Sequence, residues 1–105
     1  MTVVFTRRAL RDLDLIFEFI AADSPVYAQR QVERLISRSS QISQFPQSGR
    51  RVPECDLPDV REVIEGNYRI IYRHNPGKKR CEVLTIFHAA RLLDSHSISP
   101  EPPIS

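Results

Sequence analysis

Two apolar runs flanking a turn, within Gly66 to Arg91 (GNYRIIYRHNPGKKRCEVLTIFHAAR), constrain this chain more than any other stretch. Tyr68-Arg69-Ile70-Ile71-Tyr72 is dense in aromatic and β-branched residues, which suit a pleated, half-buried surface. Asn75-Pro76-Gly77 interrupts it, because proline presets φ and glycine allows a positive one. Glu82 to His88 then returns as a second run, too apolar for a surface loop. The pattern predicts a β-hairpin. Side chains alternate between faces, so Arg69, Ile71 and Arg73 share one side of the first strand and Tyr68, Ile70 and Tyr72 the other. His88 and Arg91 fall where the second strand ends. Such a hairpin is either an anion-handling surface or a solvated sheet edge, and the rest of the chain has to decide.

Upstream, Val3-Val4-Phe5 reads as a short strand and Thr6 as the N-cap of a helix. From Arg7 to Ala22, Ala9, Leu10, Leu13, Ile16, Phe17 and Ile20 recur in steps of three and four and make one apolar stripe. Arg7, Arg8, Arg11, Asp12, Asp14 and Glu18 occupy the other side. Ser24 is a natural N-cap and Pro25 a natural first residue for a second helix running to about Gln44. Its stripe is Ala28, Val32, Leu35, Ile36, Ile42 and Phe45, and the short connection predicts an antiparallel helical hairpin. Arg30, Arg34 and Arg38 draw a basic line along that helix, which reads first as a solvated face. Phe45 to Pro58 is a proline-stiffened, irregular connector. Val60 to Glu65 resumes a strand pattern, and Gly66-Asn67 turns it into the hairpin, so three successive strands form an antiparallel meander.

The expected fold is α+β, in the order β-α-α-β-β-β, with the helical hairpin packed on one face of a small antiparallel sheet. The other face is then solvated or binds something. Residues 1–94 make the domain; Leu92-Leu93-Asp94 adds a helical turn, and 95–105 (SHSISPEPPIS) reads as a disordered tail.

Composition excludes several classes. At 105 residues, 41% hydrophobic and 27% charged, the chain is one globular domain. It has no apolar run near the roughly 20 residues needed to span a bilayer, and no secretory leader pattern, so no membrane partner and a cytoplasmic setting are expected. Cys55 and Cys81 form no C-x-x-C pair and read as free thiols. His74, His88 and His96 lack metal-ligand spacing, so neither a metal nor another cofactor is implied. Net charge is +2, and the only lysines are Lys78 and Lys79. Arginine's planar fork suits carboxylate and phosphate, which makes acidic partners plausible, although a genomic composition bias would yield the same preference.

With the elements in order, the chain resembles the RelE/ParE superfamily of toxins from type II toxin–antitoxin modules over roughly residues 3–93. The carriers are Leu13, Ile16 and Phe17 on the first helix; Asp23-Ser24-Pro25 followed by Ala28; and Phe45-Pro46-x-x-Gly49-Arg50. Arg61-Glu62, Tyr68-Arg69-Ile70-Ile71-Tyr72 and the terminal His88-x-x-Arg91 complete the set. The resemblance implies a cognate antitoxin that wraps the toxin in a hetero-oligomer, with Val3, Phe5, Leu13, Ile16 and Phe17 as antitoxin-facing candidates. It also implies one of two activities: inhibition of DNA gyrase by protein binding, or ribosome-dependent cleavage of mRNA.

Chemistry weighs between them. Cutting RNA through its 2′-hydroxyl needs a base, a donor for the leaving oxygen and cations around the phosphate. Arg69, His88 and Arg91 could fill those roles, with Glu62 as a base and Arg61 as a clamp; these two are adjacent, so on a strand they face opposite ways. No lysine precedes Lys78 and no tyrosine follows Tyr72, so the ribonuclease set is incomplete. Modest net charge also disfavours a domain that must engage ribosomal RNA through many phosphate contacts. The gyrase inhibitor is therefore the preferred reading and the ribosome-dependent endonuclease the alternative.

Overall fold

The computed structural model describes residues 1–90. Strand β1 (Thr2–Phe5) leads into α1 (Arg7–Ala21) and α2 (Pro25–Gln44); β2 (Arg50–Arg51), β3 (Val60–Glu65), β4 (Tyr68–Asn75) and β5 (Arg80–His88) follow. The sheet order is β1-β5-β4-β3-β2. The predicted meander β3-β4-β5 is antiparallel throughout, but β1 joins the far side of β5 in parallel. The sheet is thus mixed and five-stranded, where a wholly antiparallel one was expected. The connector also hides a two-residue strand, β2, which aligns Arg50 with Glu62 and Arg51 with Arg61.

Local chemistry sets the helix ends. Thr6 accepts a hydrogen bond from the Ala9 N–H and Ser24 one from the Tyr27 N–H, and Pro25 opens α2. Thr6 does more than cap. It is fully buried, its N–H donates to Val83 O, and its hydroxyl lies 3.0 Å from both Val83 O and Leu84 O. One residue thereby ends β1, starts α1 and prolongs the pairing with β5. Three residues on from Ala9, Asp12 Oδ2 accepts from Thr85 Oγ1 (2.6 Å) and from Ile86 N–H (3.0 Å). That carboxylate satisfies a β5 edge donor which β1 is too short to reach.

The main core lies between the helices and the sheet: Ala9, Leu13 and Ile16 of α1 and Leu35 and Ile42 of α2 meet Val63, Tyr68, Ile70, Tyr72, Val83 and Ile86. Ile36 and Phe45, read as part of the α2 stripe, are exposed instead, and Gln31 is buried in their place. A register shift at Ile71/Tyr72, opposite Leu84, sends Leu84 to the other face of the sheet. There Val52, Val60, Ile71 and Leu84 form a second apolar cluster with Cys55 and Phe87 packed against it. The second face is therefore not left open at its centre, contrary to expectation. Among the described residues it is the Val52–Pro58 connector, not a helix, that covers it, through Val52 and Cys55. The proposed helical turn at Leu92–Asp94 and the tail from 95 onward lie outside the described residues.

Candidate functional site

The strand alternation brings Glu62 of β3, Arg69 of β4 and Phe87 of β5 to the second face, since Arg69 pairs with Phe87 in register. Glu62 is fully buried. Its Oε2 accepts from Arg69 Nε (2.9 Å) and Nη2 (2.5 Å), and its Oε1 accepts from Arg50 Nε (2.5 Å). From the connector, Glu54 closes the other side of the same guanidinium, with Oε2 2.6 Å from Nη1 and Oε1 2.8 Å from Nη2. The Phe87 ring lies below, its centroid 5.1 Å from Arg69 Cζ. Hydrogen bonding to Glu54 and to Glu62 holds the Arg69 guanidinium further above its ordinary range, against the opposing pull of burial. Two arginines and two carboxylates form a charge-balanced network, buried at Glu62 and Arg69 and open to solvent at Arg50.

Removing one partner of such a network costs about 3–5 kcal/mol, although replacing the whole set with apolar groups can be neutral. The arrangement can bind a planar anion bidentately, and Glu54 already does this. Elsewhere on this face Arg73 pairs with Asp59 at 2.7 Å, which fastens the connector's far end to β4.

His88 is elsewhere. It pairs in register with Tyr68, and their rings meet edge to face at 5.8 Å. Tyr68 belongs to the helix-side core, so His88 emerges on that side, opposite Arg69. Its Nδ1 accepts from Ala90 N–H, leaving Nε2 to carry the proton of the neutral ring in solvent. Arg61, also on the helix side, donates Nη1 to Gly49 O at 2.9 Å. Arg61 and Glu62 do face opposite ways. Arg91 lies outside the described residues. Of the sequence-nominated set, then, the structure brings together Arg69 and Glu62 and separates both from His88 and Arg61.

Among the antitoxin-facing candidates, Leu13 and Ile16 sit inside the core, because the centre of a helix stripe is what the sheet covers. Val3 and Phe5 pack partly against it from edge strand β1, and Phe17 is partly exposed. The larger exposed apolar residues on α1 are Leu15 (62%) and Phe19 (80%), four apart and therefore on one side. Neither falls on the stripe that sequence periodicity picks out. Glu54 and Arg50 were also missed as site residues. Arg50 carried a signal within Gly49-Arg50, whereas nothing in the connector marks Glu54 except its place between two prolines.

A family model described as "ParE toxin of type II toxin-antitoxin system, parDE" matches residues 3–93. The chain belongs to that family. Toxin RelE2 of Caulobacter vibrioides is 36% identical over 90 residues, covering 86% of this chain and 97% of the relative. The chromosomal ParDE system of P. aeruginosa contains a chain that superposes with TM-score 0.68 at 23% identity, covering 84% of this chain and 95% of that one. The RelBE2 toxin–antitoxin complex of Mycobacterium tuberculosis gives 0.63 at 23% identity over 83% and 95%. These likenesses make the protein the toxin of a type II toxin–antitoxin module with the fold common to RelE and ParE toxins.

Proposed function

We propose that this ParE-family toxin acts in the cytoplasm as a protein-binding inhibitor of DNA gyrase, and that a cognate antitoxin holds it inactive in a hetero-oligomer. One observation carries the reading: Arg69 and His88 stand on opposite faces of the sheet, with the Arg69 fork held by Glu54 and Glu62. Cleavage through a 2′-hydroxyl requires acid, base and cations to converge on one phosphate. The family match over 3–93 supports the same reading. The ribonuclease alternative, using Arg69, His88 and Arg91 with Arg61 or Glu62 in lesser roles, keeps one support in the 36% identity to a toxin named RelE2.

The antitoxin surface in this reading comprises two flanks of α1, Leu15 with Phe19 on one and Phe17 on the other, together with the open edge of β1 at Val3 and Phe5, while Leu13 and Ile16 pack in the core beneath. An apolar helix and an added strand are the two partner elements that such a surface accepts. The purified toxin should block gyrase supercoiling in vitro, and its induction in bacteria should cause DNA damage while transcripts stay intact. Codon-phased mRNA cuts on ribosomes, abolished by Arg69→Ala, would establish the ribonuclease in its place.

A further inference from the structure

The connector from Val52 to Pro58 is held to the sheet by side chains. Val52 and Cys55 reach the second apolar cluster, and Glu54 reaches Arg69. Its backbone hydrogen bonds at Cys55 N–H to Val52 O and Val60 N–H to Leu57 O are turns within the segment itself. Its two ends are fastened, by β2 at Arg51 and by Asp59, whose carbonyl accepts from His74 N–H and whose carboxylate pairs with Arg73. A strap fixed at both ends and seated through a few side chains can lift without disturbing the sheet ladder. The Arg69–Glu62 pair would stay behind on the strands.

We propose that Glu54 is a resident plug in a carboxylate receptor, and that the receptor's outside ligand is an acidic side chain of a protein partner. Lifting the strap uncovers one half of a preorganised guanidinium fork, the other half remaining fixed by Glu62. Phe87 lies against that fork and packs in turn on the apolar cluster of Ile71, Leu84 and Val60. A peptide segment with an aspartate or glutamate beside apolar residues replaces like with like: carboxylate for Glu54, aliphatic contact for Val52. A nucleic-acid phosphate fits less well. It brings more negative charge against Glu62, and its sugar and base offer little to an aliphatic floor. The exchange needs no bond-making step and does not depend on whether gyrase or the ribosome is the toxin's target.

Two measurements on the full chain test this. In Glu54→Ala the receptor is emptied, so sodium acetate should raise Tm with the logarithm of its concentration above the dissociation constant, by about 5–10 °C at ten times that constant. Sodium chloride at equal ionic strength should not do so, and the unmodified chain, with its plug in place, should not respond. Absence of an acetate effect beyond that of sodium chloride in Glu54→Ala, or an equal effect in the unmodified chain, overturns the receptor. A larger response to inorganic phosphate than to acetate overturns the protein partner in favour of nucleic acid. The second measurement reads the opening of the strap directly. Cys55 rides on the strap and Cys81 is fully buried, so iodoacetamide should alkylate Cys55 far faster than Cys81. Glu54→Gln should accelerate Cys55 alkylation about tenfold without changing Cys81. If Cys55 reacts only at the Cys81 rate, or if Glu54→Gln leaves its rate unchanged, the strap does not open as proposed.

Discussion

Replacing Tyr72 by phenylalanine removes one oxygen from the most crowded joint in the molecule. The Tyr72 hydroxyl donates to Pro46 O at 2.7 Å and accepts from Gly49 N–H at 3.0 Å, with the side chain fully buried. Gly49 is there because nothing larger fits: a Cβ would stand 2.7 Å from Glu62 O and 2.7 Å from the Tyr72 hydroxyl. Loss of the hydroxyl strands a buried N–H, at about 1–3 kcal/mol, and forfeits a net bond to Pro46 worth about 1 kcal/mol. The expected destabilisation is about 2–4 kcal/mol, a large share of the 5–15 kcal/mol typical of a domain. Urea unfolding should show a lower midpoint at unchanged slope, and Tm should fall by about 10–20 °C. Alkali supplies an independent check. Burial pushes the Tyr72 hydroxyl above its ordinary 10.0, so the folded state keeps that proton to higher pH than the unfolded chain does. The stability linked to it is complete below pH 10.0 and is lost as pH rises through the folded value. Tyr72→Phe should therefore close part of its gap with the parent protein above pH 10.0. A loss below about 0.5 kcal/mol, or a gap that widens in alkali, would refute the assignment of this hydroxyl as the joint.

Glu62→Gln leaves Arg69 half-paired and releases Arg50; thermal denaturation followed by circular dichroism should show a loss of about 3–5 kcal/mol. Asp12→Ala exposes the Ile86 N–H and the Thr85 hydroxyl to an apolar setting, which should cost about 2–3 kcal/mol in urea unfolding and speed hydrogen exchange at Ile86. Phe19→Asp, on an exposed position, should change stability by no more than about 0.5 kcal/mol yet weaken antitoxin binding at least tenfold by calorimetric titration. Gly49→Ala should fall below Tyr72→Phe in stability, because its clash is with backbone as well as with a side chain.

The periodic elements were legible because their chemistry is local. Thr6, Ser24 and Pro25 announce helix starts, and the Tyr68–Tyr72 and Glu82–His88 runs announce strands. What stayed hidden depends on distant pairings. The parallel seat of β1 beside β5 cannot be read from Val3-Val4-Phe5, which would serve an antiparallel edge equally well. Strand β2 is two arginines without strand character, and it exists because Glu62 and Arg61 stand opposite. The Leu84 shift requires two strands to be compared at once. Arg69 and Glu62 both stand out in the strand pattern, yet Glu54 arrives from an irregular segment whose path no periodicity describes. Gln31 is buried on the side of α2 toward the Gly66 turn, its amide 3.5 Å from where a Cβ on residue 66 would stand. That gap in the stripe was occupied by a polar residue no apolar pattern would choose.

The bond from Thr6 to Val83 spans 77 positions of the polypeptide. On a translating ribosome, the chain's opening segment waits without its sheet neighbour until the closing strand has cleared the exit tunnel, well after both helices have emerged. Non-local pairings of this kind delay folding until the loop they close is complete. A nascent toxin therefore has no finished sheet, and no complete edge to offer any partner, while most of it is still being made. Whatever silences this molecule in the cell has the interval of synthesis in which to arrive before there is anything to silence.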